Sequence, residues 1–193
     1  GQQLPFRRLI TTPRAASLAA IVAAALATLL GACSLPWAGR SRPAPSSGWQ
    51  SNLSRQDPAL SGDGRLLASV IERQGRSTVL LQERISGRVM PLRHLSRWQP
   101  HSSPSLSWRG RYLALIVQRG DRRLAVIEDR LTNRLVPLPL PSGLEPVRLS
   151  LAPDGQRLAL QLVAAGRWQV ELFELAGVLE IDPPAGEVLR TPA

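Results

Sequence analysis

From Leu66 onward, apolar and polar residues alternate in short runs broken by glycine, which is the pattern of β-strands joined by tight hairpins. The runs Leu66 to Ile71, Tyr112 to Val117 and Arg157 to Val163 are followed by Thr78 to Gln82, Leu124 to Ile127 and Trp168 to Phe173. All are rich in β-branched or apolar residues and of strand length. Each first run follows a hairpin dipeptide or a poorer version of one: Asp63-Gly64, Arg109-Gly110 and Asp154-Gly155. Glycine accepts the positive φ of a primed turn and Asp tolerates it, so these positions read as equivalent turns. A second turn is expected at Gly75, Gly120 and Gly166, and a third at Gly87, Asn133 and Gly177, where Asn stands in for Gly in the left-handed region. The stretches Met90-Pro91-Leu92 and Val136-Pro137-Leu138 then supply a fourth strand, and their prolines predict that it is an outer edge.

Gly64, Gly110 and Gly155 recur at an interval of about 45 residues, the period of a propeller blade built from several short strands. The spacing predicts an all-β fold of three propeller-type blades, each of four antiparallel strands, at about residues 56–95, 102–140 and 147–182, with a C-terminal tail over 183–193. Ala68, Ala114 and Ala159 share one register, where a small side chain lets neighbouring blades approach. An apolar residue, Ser or Ala, any residue, Asp-Gly-Arg, then Leu-Ala recurs, with an acid before a later turn (Glu83, Asp129, Glu174). This pattern resembles the β-propeller repeat of the TolB family, best in Leu151 to Ala159, over about residues 56 to 181. The resemblance implies a WD40-like β-propeller that binds proteins. The family's N-terminal α/β domain is not matched here. Closed propellers have four to eight blades, so three imply a partner, and two chains joined head to tail as a homodimer would make six.

The N-terminal third has a different pattern. Arg7, Arg8 and Arg14 precede the Ala/Leu-rich run Ala15 to Leu30, and no acid occurs before Cys33. This is the order of an export signal, and the apolar run is shorter than the roughly 20 residues of a stable bilayer span, which favours cleavage. Leu30-Gly31-Ala32-Cys33 resembles a bacterial lipobox, in which small residues admit the signal peptidase and the thiol is acylated. The reading is a helical lipoprotein signal peptide over 1–32. Cys33 then becomes the lipidated N-terminus, and a Pro/Ser-rich tether follows over 33–55. It implies a protein held at the cell envelope by a lipid anchor, facing the periplasm.

Composition narrows the chemistry. All 24 basic residues are Arg, which removes a Schiff-base lysine and the lysine of a phosphate-binding loop. The single cysteine excludes an internal disulfide and a cysteine-rich zinc site. His94 and His101 are the only histidines and read as two surface loop residues, too few for a metal. Glu128-Asp129 and Glu171 with Glu174 read as solvated faces rather than a carboxylate dyad. Trp98, Trp108 and Trp168 read as blade-packing residues. No catalytic residue, metal or cofactor is expected.

The net charge of +10 is concentrated in the N-terminal segment, so nucleic acid is not an expected partner. Arg119, Arg122, Arg123, Arg130 and Arg134 surround two turns of the second repeat and make a candidate anion patch. Two functional readings remain at this point. One is a lipid-anchored envelope scaffold or binding module for a protein or an envelope polymer. The other is an accessory propeller gating a separately encoded hydrolase.

Overall fold

In the second repeat, Tyr112 to Val117 is apolar at every position, whereas Arg157 to Leu162 in the third is apolar chiefly at alternate ones. The computed structural model, which describes residues 53–95, 99–184 and 186, shows why. Its first sheet holds β1 (Arg55–Leu60), β2 (Leu66–Arg73), β3 (Arg76–Glu83) and β4 (Val89–Met90). The second holds β5 (His101–Leu106), β6 (Tyr112–Arg119), β7 (Arg122–Asp129) and β8 (Arg134–Pro137). The third holds β9 (Glu145–Leu151), β10 (Arg157–Ala164) and β11 (Arg167–Glu174). Each is a meander of antiparallel neighbours in chain order. The second lies between the other two, so β6 is buried on both faces. The proposed signal peptide, Cys33 and its lipobox, most of the tether and Trp98 lie outside the described residues.

Two inter-sheet cores carry the assembly. Leu66, Ala68 and Val70 of β2, with Leu81 of β3, belong to one cluster with Leu113, Leu115 and Val117. Tyr112, Ala114, Ile116 and Ile127 cluster with Leu149, Leu151, Leu158, Leu160 and Leu162. Each fully buried Leu or Ile is worth about 1.5–3 kcal/mol, so the sheets are held to one another mainly by these two layers. The innermost strands are also stitched directly, with the Ser103 and Ser105 hydroxyls accepting from the amides of Leu149 (2.9 Å) and Leu151 (3.0 Å).

The hairpins follow from their loop residues. Gln74-Gly75 (φ 51° and 71°) and Ala165-Gly166 (φ 47° and 75°) are two-residue loops with both φ positive. The equivalent Gly120-Asp121 loop has its positive φ, 61°, at Gly120. These are primed turns, whose twist matches that of the strands they join.

Two details depart from the sequence pattern. Among the described residues the third sheet has three strands. After Gly177 the chain bends, with the amides of Val178 and Leu179 both bonding to the Leu175 carbonyl at 2.9 Å, and runs on toward the turn of the second sheet. Proline is also not confined to outer edges. Pro58 and Pro104 lie in β1 and β5, which pair on one side only and are therefore edges too. Each follows a residue of positive φ, Asp57 at 48° and Ser103 at 51°, where the ladder shifts register in a bulge.

The turns before β2, β6 and β10 are where the sheets come closest. A Cβ built on Gly110 would lie 2.5 Å from Leu66 Cδ1, and one on Gly155 would lie 2.6 Å from Tyr112 Cδ2. The equivalent Gly64, against which no other sheet of the described residues packs, has nothing within 4 Å. All three have positive φ, at 69°, 67° and 78° in chain order. Gly64→Ala is therefore expected to cost only left-handed strain, about 1–2 kcal/mol. Gly155→Ala adds a clash with the buried Tyr112 ring and is expected to cost roughly 3 kcal/mol or more. Chemical denaturation of the two variants measures the difference, and equal losses would contradict the close approach.

Candidate functional site

The turn end of the blades is built from a repeated hydrogen-bond pattern. In the first turn Asp63 Oδ1 accepts from Ser61 Oγ (2.6 Å) and from the Arg65 amide (2.9 Å). In the third, Asp154 Oδ1 accepts from the Gln156 amide at 2.9 Å. The second turn has Arg109 where the others have Asp, and its carboxylate comes from elsewhere. Asp182 Oδ2 accepts from Ser107 Oγ and from the amides of Arg109 (2.9 Å) and Arg111 (3.4 Å). Ser107 and Arg111 correspond to Ser61 and Arg65, so Asp182 fills the role of the missing Asp from 73 residues away. Arg84 Nε and Arg130 Nη1 complete the first two turns by donating to the carbonyls of Gly64 and Gly110, each at 2.7 Å.

The turns also bond to one another. The Asp63 amide donates to Trp108 O (2.8 Å), the Trp108 amide to Pro153 O (2.6 Å) and the Asp182 amide to Asp154 O (2.9 Å). Trp108 packs its indole over Gly62, where an added Cβ would lie 2.0 Å from Cε3. Arg111 anchors the same region, with Nε and Nη2 on the two Asp129 oxygens at 3.1 and 3.0 Å and Nη1 on Glu180 Oε2 at 2.7 Å. Burial raises the Asp129 carboxyl, but the bonds from Arg111 and from the Thr132 and Leu131 region outweigh it, and the group lies below the usual range. Tyr112, whose hydroxyl donates to Glu180 O at 2.8 Å, is pushed up to about 12 by burial. These bonds fasten residues 180–182 onto the second sheet, and they make this end a structural joint.

The remaining polar candidates separate. His94 is exposed and bonds through Nε2 to the Asn133 carbonyl. His101 opens β5 and is 2% exposed, not a loop residue. Its Nδ1 lies 3.4 Å from the Val79 amide, which can only donate, so the neutral ring carries its proton on Nε2. Burial lowers its pKa to about 4, so it stays neutral at physiological pH. Glu128 and Asp129 are likewise buried, which corrects their reading as solvated; Glu128 Oε1 accepts from the Arg93 amide at 3.0 Å. No group of three His, Cys, Asp or Glu comes together to hold a metal among the described residues.

The five arginines of the candidate anion patch do not form one. Arg119, Arg122 and Arg123 surround the β6–β7 hairpin, while Arg130 and Arg134 lie at the other end of β7, roughly 25 Å away along an extended strand. Arg130 is half-buried against the Gly110 carbonyl.

The open surface is the outward face of the third sheet. By ladder register Ala159 pairs with Leu172, Gln161 with Val170 and Val163 with Trp168, all on the face turned away from the second sheet. Trp168, Val170 and Leu172 are 63%, 71% and 64% exposed. The positions equivalent to Val170 and Leu172 are Val79 and Leu81 in the first sheet and Ala125 and Ile127 in the second, all buried. Trp168 is thus not a packing residue within this chain. Its alternation with Gln169 and Glu171 is the signal that marks this face, because β11 turns its apolar side outward.

No protein-family model matches the chain, and neither does any curated protein. Solved structures do. TolB from Acinetobacter baumannii superposes with a TM-score of 0.50 at 16% identity, over 66% of this chain and 32% of that one. A putative TolB from Agrobacterium tumefaciens superposes with a TM-score of 0.56 at 16% identity, over 66% of this chain and 48% of that one. The blades are TolB-like. The chain spans between about a third and a half of the length of these TolB structures, and at such identity the likeness is one of fold. Within this TolB-like array the carboxylate supplied by Asp182 is a local substitution at the second turn.

Removing that carboxylate strands a buried hydroxyl and two amides, so Asp182→Ala is expected to cost about 2–3 kcal/mol. Restoring Asp in cis should repair it. In a double-mutant cycle read by urea denaturation, Arg109→Asp is expected to be unfavourable alone and to recover most of the loss in the Asp182→Ala background. Simple additivity would refute the equivalence.

Proposed function

We propose that the protein is a lipid-anchored binding module of the cell envelope, facing the periplasm, that docks a partner protein on the outward face of its third sheet. The observation that carries this reading is the exposure of Val170 and Leu172 at positions buried in the other two sheets. A sheet with apolar side chains on both faces is made to be covered on both. The chain's own inter-sheet layers indicate what covers it: a sheet presenting aliphatic residues at alternate positions, as Leu158, Leu160 and Leu162 do to the second sheet. The partner is accordingly a protein that contributes a blade or blade-like sheet and extends the propeller.

The two ends of the array differ. On the outward side of the first sheet Arg55 Nη1 donates to Gln82 Oε1 at 2.6 Å and lies 3.4 Å from Ser69 Oγ, beside Leu67, Ile71 and Leu80. That end differs from an internal layer in carrying the bonded Arg55–Gln82 pair, which favours a different protein over a second copy joined head to tail. A hydrolase carrying such a sheet would meet the same requirement.

Val170→Glu places a charge at the centre of the open face without touching either internal core. Cross-linking in cells from a photoreactive residue at position 172 is expected to trap one protein partner, and Val170→Glu is expected to abolish the product while leaving the thermal unfolding of the isolated chain unchanged. A product formed only between copies of this chain would replace the partner with a homodimer, and no product would refute the docking face. The anchor is tested separately. Cys33→Ala is expected to stop acylation and signal processing, and a mature chain with an unmodified N-terminus in intact-mass measurement would refute lipidation.

A further inference from the structure

The hairpins that join β2 to β3, β6 to β7 and β10 to β11 all point to one end of the array, opposite the Asp-Gly turns, because each sheet is the same up-and-down meander. Their loops are two residues long, so they are short and stiff. Every one of them carries exposed arginine: Arg73 and Arg76 on the first, Arg119, Arg122 and Arg123 on the second, Arg167 on the third. The acids at this end are Glu72, Asp121 and Glu145. Among the described residues no ion pair joins Arg73, Arg119, Arg122, Arg123 or Arg167 to an acid.

The opposite end is different in kind. There Arg111 pairs with Asp129 at 3.0 Å, Arg157 with Glu174 at 3.1 Å and Arg88 with Glu83 at 3.8 Å. Acids equal arginines in number around the Asp-Gly turns, whereas six arginines face three acids at the hairpin end, so the positive excess of the described body lies there.

We infer that the arginine-bearing hairpin end is a docking surface for an anionic phospholipid bilayer. The arginines sit on tips of separate sheets, which pack about 10 Å apart; Arg73 and Arg76 also border a cavity along the first sheet and Arg123 a smaller one beside Ser102. A small anion would reach one tip, whereas a plane of lipid phosphates engages all three at once. Guanidinium groups suit this task because they stay charged at any physiological pH and offer paired donors to phosphate oxygens. Each basic residue at an anionic membrane surface strengthens binding about fivefold, so three together give about a hundredfold. The surface is separate from the outward face of the third sheet, and the inference does not depend on acylation of Cys33.

The test measures co-sedimentation of the full chain with phosphatidylcholine vesicles and with vesicles that also contain phosphatidylglycerol, at low and high salt. The quantity read is the gain in affinity due to phosphatidylglycerol, which cancels any contribution of the apolar N-terminal run. The expected result is a gain that is lost at high salt and that falls about a hundredfold in Arg119→Gln/Arg122→Gln/Arg123→Gln. Arg88→Gln/Arg134→Gln, at the other end, is expected to leave it unchanged. An equal loss in both variants would overturn the proposal in favour of net charge alone. A phosphatidylglycerol gain that survives in the triple variant would overturn it as well. Displacement from vesicles by inorganic polyphosphate at equal phosphate concentration would assign the surface to a soluble polyanion instead. Far-ultraviolet circular dichroism and the unfolding temperature establish that each variant is folded.

Discussion

The close seating of each sheet on the turn of the next governs this structure. Leu66 lies against Gly110 and Tyr112 against Gly155, where a Cβ would fall 2.5 and 2.6 Å from a side-chain carbon. Glycine there answers two demands at once: the positive φ of the turn and the space taken by the neighbouring side chain. Once the turns are in contact, their amides and carbonyls pair from sheet to sheet, and the apolar faces behind them are brought to packing distance. The relative placement of the sheets is thereby set at one end and filled in along the strands.

The same constraint explains the use made of Asp182. A turn carbonyl or amide at this joint is surrounded by another turn and not by water, so an unmet donor is costly. The second turn has Arg at position 109 and so no carboxylate of its own, and the chain that follows the third sheet supplies one. The residues that would otherwise continue as a fourth strand of the third sheet run across to the second, where Arg111 and Tyr112 hold Glu180 beside Asp182. Among the described residues, the segment that could have been a fourth strand of the third sheet thus serves the second turn instead.

Much of this was legible before the fold was known, because it rests on local chemistry. The three glycine turns, the hairpin loops and the strand runs follow from residues adjacent in sequence, and they also carry the TolB-like pattern. What was not legible depends on partners far apart in the chain. Asp182 has no spacing signature; the one clue was the Arg in place of Asp at position 109, visible only by comparing the repeats. The histidine at position 101 looked like loop because it falls between the first two repeats, yet it opens a strand and is buried against Val79. The grouping of Arg119 with Arg134 failed for a related reason. Nearness in sequence placed them together, while an eight-residue strand separates the two turns they belong to.

A stack of sheets has two ends, and here they have been finished differently. On the first sheet, the position equivalent to Leu115 and Leu160 is Ser69, and Arg55 bonds to it and to Gln82 on a face shared with Leu67, Ile71 and Leu80. On the third, Ala159, Val163, Val170 and Leu172 keep the apolar character of an internal layer, although no further sheet of the described residues covers them. If the third sheet were simply a terminal repeat, polar residues would be expected on its outer face, since exposed apolar sheet faces invite aggregation. The outward side of β11 instead carries Trp, Val and Leu, while Gln169 and Glu171 take the alternate positions. Among the described residues the two end faces of the array therefore differ in chemistry, an arginine–glutamine pair on the first sheet and an exposed apolar strand face on the third.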